Sequence, residues 1–409
     1  MKKYSIYLLS AIFTLLLLVA AFNWLINPYD IFNSPEITGL NSYKSEVERH
    51  TRLSKVYQLE SLKPEVILLA SSRGLVVPDE YLSPEGMRAY NLSLTSASTY
   101  EQFRMLQHAQ SVNPLKRVVL ALDEKITNSR QPAFVENRLA VNADGTRNNK
   151  KWKQTWQDYF SSLLSIDALR ASSSTVRKQK DGPVNTGAEE YDRRRVYKAG
   201  GHHQMFRTME ASLFYQYKGD SSQCDTGSDK GAVSQAVAAD VIKDIIEFSY
   251  ENDIELIIYF SPAHARFYEA KCMVGEWAEI ENTKRAVVAT VEYLAGSYGV
   301  EPFPVWDFSG YNDVTTEQVP DIDDRNGRMR WYWEGSHYTQ QTAQRIFYQI
   351  FTAESAFGVM LNADNIEPHL KDIRDKRDEY VASHGEDIAE LALLFERSKS
   401  TRQARRTNK

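Results

Sequence analysis

From residue 64 onward, short and predominantly apolar runs are separated by longer segments of helical period. Residues 66–70 (Val-Ile-Leu-Leu-Ala) and 117–122 (Arg-Val-Val-Leu-Ala-Leu) read as strands buried on both faces, as do 254–260 and a shorter piece near 302–306. A brief strand is expected at 87–91. Helical patterns over 98–111, 233–250, 276–298 and 339–352 alternate with these runs. Buried strands interleaved with amphipathic helices imply an α/β fold with a mainly parallel sheet covered by helices on both faces. Ligands of such sheets bind beyond the carboxyl ends of the strands. Ser72, Asn91, Asp123, the stretch 261–264 and Asp307 all fall at or just after predicted strand ends, so they are expected to line one crevice.

The rhythm breaks in three places. Residues 4–26 are nearly free of charge and follow Lys2-Lys3. The run is about long enough to span a bilayer, which takes roughly 20 apolar residues. With lysines on its N-terminal side, the positive-inside rule leaves everything after Pro28 outside the cytoplasm. A cleaved signal peptide with a site near Val19-Ala20-Ala21 is the competing reading; an uncleaved anchor is favoured because the apolar run continues to Ile26. Periodicity then fades over about 126–230, which reads as a large insertion. After Pro368 the chain is charged and helix-prone, and its strongly basic end, 397–409, reads as a disordered tail, either solvated or touching anionic lipid or glycan. The expected organisation is an anchor at 1–28, a helical lead-in at 29–63, the α/β domain at 64–360 with its insertion, and a helical, basic C-terminal extension at 361–409.

Composition narrows the class of partner. The 409 residues are 42% hydrophobic and 25% charged, with a net charge of -5, so there is no basic excess of the kind that nucleic acid demands. Cys224 and Cys272 are the two cysteines. Outside the cytoplasm they are free to pair, but spacing does not decide whether they do. No metal or cofactor is expected: neither cysteine has metal-ligating company, and His202-His203 has no nearby carboxylate.

The residues that carry chemistry lie at opposite ends of the α/β segment. Ala70-Ser71-Ser72-Arg73-Gly74 places the Ser72 hydroxyl where a strand leaves the sheet. Trp333-Glu334-Gly335-Ser336-His337-Tyr338 puts His337 before the last helix of the domain, with Glu334 three residues earlier. A serine hydroxyl is a poor nucleophile until a base takes its proton, and imidazole is the base suited to neutral pH. A carboxylate at the other ring nitrogen orients that base. Around this trio, Asn91 reads as a hydrogen-bond donor or a turn former, and Arg73 as a clamp for an acidic group or an unpartnered surface residue. His264 reads as a substrate contact, an alternative base or a loop histidine, and Asp307 as a rival orienter or a cap. Trp331, Tyr332, Trp333 and Tyr338 suit sugar stacking or core packing.

Ser71-Ser72-Arg73 after the first strand, Tyr90-Asn91-Leu92-Ser93-Leu94-Thr95-Ser96 after the second, and Glu334-x-x-His337 before the last helix together resemble the SGNH/GDSL hydrolase superfamily. The resemblance runs from about 64 to 356 and is greatest to its membrane-anchored extracytoplasmic branch, which includes alginate O-acetylation-type cell-envelope proteins. It implies a three-layer α/β/α sandwich with a nucleophile at Ser72, a base at His337, an orienter at Glu334, and a main-chain oxyanion donor at Ser93. Asn91, Arg73, Asp123, His264 and Asp307 would then be oxyanion or substrate contacts. The implied activity is hydrolysis or transfer of an acyl group, most simply acetyl, on an exported polysaccharide or other envelope glycan. The implied setting is a bacterial inner membrane with the domain in the periplasm, beside a membrane acyl-transfer or polysaccharide-export partner. This chain departs from the family pattern at Ala70-Ser71, where Gly-Asp is usual, at Glu334, where aspartate is usual, and at Ser93, where glycine is usual. The third-block Gly-x-Asn-Asp has no match at Ala121-Leu122-Asp123-Glu124. Loss of one oxyanion donor costs about 100- to 1000-fold in rate, so a catalytically inactive glycan-binding or assembly protein of the same fold is the alternative.

Overall fold

The computed structural model describes residues 2–124, 126, 135–183, 188–217, 224, 232–354 and 357–407. Contacts divide the chain into two compact units, one of Met1–Lys63, Gln107–Pro114 and Pro132–Arg195, the other of Pro64–Leu106, Leu115–Gln131 and Val196–Lys409.

The second unit holds a six-stranded sheet of order β2-β1-β3-β4-β5-β6. Its strands are β1 (Val66–Leu69), β2 (Ala89–Asn91), β3 (Arg117–Leu122), β4 (Glu255–Phe260), β5 (Val305–Asp307) and β6 (Val359–Leu361). The first five are parallel, with Val66 opposite both Ala89 and Arg117, and Leu122 opposite Phe260. Every residue of β1 and β3 is buried, which is why β1, and β3 after Arg117, read as continuous apolar runs rather than alternating ones. From β1 the chain moves outward to β2, then crosses back to β3 and continues the other way. The carboxyl ends of β1 and β3 therefore flank the point where strand order reverses, the usual place for a ligand in such a sheet.

The remaining strand, β6, runs antiparallel to β5. It is too short for periodicity to reveal, and its exposed Val359 and Met360 mark it as an edge. Alternate residues of the central strands, Val66, Leu68, Val119, Ala121, Ile257 and Tyr259, pack with Phe308, Tyr332, Tyr338, Ile346 and Phe347 in one core.

Helices in this unit include α7 (His202–Gln216), α8 (Ala232–Glu251), α9 (Ala265–Met273), α10 (Trp277–Tyr298), α11 (Gln340–Thr352), α12 (Ile366–Ser383) and α13 (Gly385–Thr407). The basic end is therefore helical to Thr407, where a disordered tail is expected from sequence. It is held because Leu391, Leu394 and Phe395 of α13 pack on Phe214 of α7 and on Ala270 and Val274, while the Arg402 guanidinium donates to the Phe214 carbonyl at 2.8 Å. Cys224 and Cys272 are joined as a disulfide.

The first unit contains α1 (Lys2–Ile26), α2 (Thr51–Leu62), α4 (Lys151–Leu164) and α5 (Ile166–Lys178); α3 (Thr99–Val112) and α6 (Ala188–Ala199) each begin in one unit and end in the other. Helix α1 is long and apolar enough to cross a membrane. Its last turn is packed: the Asn23 amide donates to the Leu163 carbonyl at 2.8 Å and its oxygen accepts from the Ser172 hydroxyl at 2.7 Å. Asn27 then ends the helix in the left-handed region, at φ 49, with its side-chain oxygen accepting the Ile31 N–H.

Helices α4 to α7 occupy much of the segment whose periodicity fades. Helix α5 buries Ala168, Ala171, Ser172 and Thr175, a seam of small residues that leaves no hydrophobic stripe in the sequence. Helix α4 turns Trp152, Trp156 and Phe160 outward, the reverse of the amphipathic rule.

Candidate functional site

The site is built where β1 ends. After Leu69 the chain passes Ala70 and Ser71 and enters a single tight turn, Ser72–Val76. Ser71 caps that turn by accepting the Arg73 N–H at 3.4 Å. Gly74 is what lets the turn press against the strand end, since a Cβ there would fall 2.4 Å from both the Ala70 Cβ and the Ser93 Oγ. The result is a Ser72 side chain that is half-buried beyond the carboxyl edge of the sheet.

Its partner comes from a closed loop seated on the core. Tyr332 and Tyr338, 0% and 1% exposed, pair as an antiparallel bridge, and the Trp333 N–H donates to the His337 carbonyl at 2.9 Å. Within this turn the Glu334 carboxylate accepts the Ser336 N–H at 2.9 Å, the Ser336 hydroxyl at 3.0 Å, the His337 N–H at 3.0 Å, and the His337 Nδ1 proton. Burial pushes this carboxyl up, but the His337 ring and the Ser336 donors outweigh it and hold Glu334 below the usual carboxylate range. A carboxylate only accepts, so Nδ1 carries the ring proton and Nε2 presents its lone pair. That lone pair faces Ser72 Oγ at 2.8 Å. The imidazole is 41% exposed while Glu334 is 11% exposed, so solvent and solutes reach the base but not its orienter.

Serine, histidine and glutamate thus form one hydrogen-bonded line, and the other expected site residues are spoken for within the protein. The Asn91 amide donates to the carbonyls of Gly74 at 2.7 Å and Val77 at 2.8 Å. Its oxygen accepts the Ser93 N–H at 2.9 Å, so that N–H is already committed. Arg73 is buried and holds Glu124 through two bonds of 2.5 and 2.9 Å, which occupies the fork a substrate anion would need. Glu124 escapes notice in the sequence because Asp123 beside it occupies the expected strand-exit position.

Asp123 is half-buried at the end of β3, 3.6 Å from the Arg73 Nε. Burial raises its carboxyl, with Arg73 acting against that and Glu124 adding to it. Together with Ser71, Ala97 and Gln102 it lines a cavity of about 20 Å³ at the strand reversal, room for about one water.

His264 and Asp307 lie inside the protein, not at a shared rim. His264 is 1% exposed, its Nε2 proton goes to the Glu317 carbonyl at 2.6 Å, and its Nδ1 accepts the Arg266 N–H at 3.2 Å as the cap of α9. Burial drives its pKa down to about 3. Asp307 binds Lys284 at 2.7 Å and His369 at 2.9 Å. Burial opposes its ionisation, but Lys284 and His369 hold its carboxyl well below the usual range. Tyr332 and Tyr338 belong to the core, and Trp331 lies under Arg330 and Arg345. Trp333 is half-buried and stacks with His202. Among the described residues no cluster of three or more histidine, cysteine or carboxylate side chains is placed to hold a metal ion.

No model of a known protein family matches this chain, and neither does any curated protein against which it was compared.

Proposed function

We propose that this chain is a serine-dependent acyl ester hydrolase or O-acyltransferase of the SGNH type, with the α/β unit built as a three-layer sandwich. The observation that carries the reading is the Ser72–His337–Glu334 line, with 2.8 Å between Ser72 Oγ and His337 Nε2. In the reaction Ser72 Oγ attacks the ester carbonyl carbon as its proton passes to His337 Nε2, and Glu334 stabilises the imidazolium that forms. The tetrahedral intermediate collapses when His337 returns the proton to the departing alkoxide. Water or a sugar hydroxyl then gives up a proton to His337, attacks the acyl-serine and releases Ser72. The Ser72 N–H, at the start of its turn, has no hydrogen-bond partner among the described residues, and it is the main-chain donor assigned to the oxyanion.

The substrate class we propose is an acetyl ester on an exported polysaccharide or other envelope glycan. A half-buried serine beside a 41% exposed histidine suits a group presented on a polymer better than a ligand swallowed whole. Helix α1 would anchor the chain in a bacterial inner membrane with the remainder in the periplasm, a compartment that favours the Cys224–Cys272 disulfide. A membrane acyl-transfer or polysaccharide-export protein is the partner proposed.

A second reading, an inactive glycan-binding or assembly protein, is favoured by the commitment of the Ser93 N–H to Asn91 and of Arg73 to Glu124. Turnover of a chromogenic acetyl ester by the full chain, lost in Ser72→Ala, is expected for the enzyme. Glycan binding that survives Ser72→Ala, with no turnover by either protein, would establish the second reading instead.

A further inference from the structure

We infer that the α4–α5 pair rests in the headgroup region of the bilayer that α1 enters, so that the first unit is seated on the membrane and does not swing from a tether. The inference rests on the anchor reading of α1 and adds a second lipid contact to it.

The first argument is one of length. Residues 4–18 of α1 are exposed, whereas from Val19 to Ile26 every residue except Ala21 and Trp24 is partly or fully covered by its own unit. Those fifteen exposed positions span about 22 Å at 1.5 Å per residue, and the hydrocarbon core of a bilayer is roughly 30 Å thick. The shortfall places the last turns of α1, up to Trp24 and Leu25, at membrane depth. Whatever packs on those turns must then lie at the membrane surface.

What packs there is α4 and α5. Asn23 of α1 is bonded to Leu163 at the end of α4 and to Ser172 of α5. The surface that these helices turn to solvent is unusual for a soluble protein. Trp152, Trp156 and Phe160 are 60%, 67% and 64% exposed, and they follow one another at every fourth residue along a single stripe of α4. Ile166, at the start of α5, is 68% exposed. Tryptophan is the residue that bilayer interfaces select, because its ring is apolar while its N–H stays hydrated. Lys153, whose ammonium lies 5.7 Å from the Trp152 ring, and the exposed Arg177 supply positive charge for anionic headgroups, whereas Arg170 is paired with Asp167 at 3.4 Å. Amphipathic helices that lie in an interface combine these same two features.

The test is quenching of tryptophan fluorescence by brominated phosphatidylcholine in vesicles carrying the full chain. Trp152 and Trp156 are surface residues, so the Trp152→Phe/Trp156→Phe variant leaves the core intact. The wild type should be quenched, shallow bromines more than deep ones, and the double variant should lose most of the quenchable emission. Quenching that persists in the double variant but disappears in Trp24→Phe would overturn the inference while leaving the anchor in place; a protein partner on the stripe would give this result. Absence of quenching in the wild type would overturn both.

Discussion

His337 Nε2 and Ser72 Oγ stand 2.8 Å apart although the two residues are 265 positions apart in the chain. The serine is fixed by the turn that Gly74 permits at the end of β1, and the histidine by a loop closed over two buried tyrosines. Both anchors rest on one core, in which Leu68 and Ala70 of the serine side pack with Tyr332 and Tyr338 of the histidine side. Their meeting is a property of the fold and not of a local motif.

The orientation of the base depends on Glu334 acting only as an acceptor. In Glu334→Gln the side-chain amide can present N–H to Nδ1 and turn the lone pair the wrong way. Turnover is expected to fall about 10³- to 10⁴-fold with little change in KM, the scale seen when a triad orienter loses its charge, and the melting temperature to fall as well, because the amide nitrogen cannot accept the donors that both carboxylate oxygens now hold. Steady-state kinetics and a melting curve on the same preparation check this. A drop of less than tenfold would remove Glu334 from the orienting role.

His264 supplies a prediction about stability instead of activity. Its folded pKa, about 3, lies below the unfolded value, so the unfolded chain binds the extra proton. That contribution is complete above about pH 6.5 and is lost as the pH falls from there toward 3. Between pH 7 and pH 5 it amounts to about 2 kcal/mol. Denaturant titrations at the two pH values should show that difference in the wild type and lack it in His264→Asn, which keeps a side-chain acceptor for the Arg266 N–H. Equal slopes in both proteins would mean that His264 is not held neutral.

Asp307 distinguishes a structural carboxylate from a catalytic one. Removing its charge in Asp307→Asn leaves Lys284, 5% exposed, with the Ser309 hydroxyl but without its counter-charge, and breaking one side of a buried pair costs about 3–5 kcal/mol. The melting temperature should drop sharply while kcat per folded molecule stays within a few-fold of wild type. Loss of kcat in a variant that folds normally would instead make Asp307 an orienter.

Much of the fold was legible because its strands are buried on both faces. Residues 117–122 appear in the structure with the same bounds as in the sequence reading, and the other parallel strands shift by a few residues at their ends. The edge strand β6 and the small-residue seam of α5 were not legible, since neither presents a hydrophobic pattern. For the site, a hydroxyl at the end of an apolar run and a carboxylate three residues before a histidine were visible as types and spacings. The roles of Asn91, Arg73 and His264 were not, because each is decided by a partner distant in sequence. For Asn91 these are the Gly74 and Val77 carbonyls; for Arg73 it is Glu124, and for His264 the Glu317 carbonyl 53 residues away.

The most direct test of an activated Ser72 is covalent capture. The full chain is treated with a serine-reactive phosphonate at neutral pH, and the modified peptide is located by mass spectrometry. The account predicts one phosphonylated residue, Ser72, with labelling slowed severely in His337→Ala. Recovery of unlabelled Ser72, or labelling at an undiminished rate without His337, would contradict it.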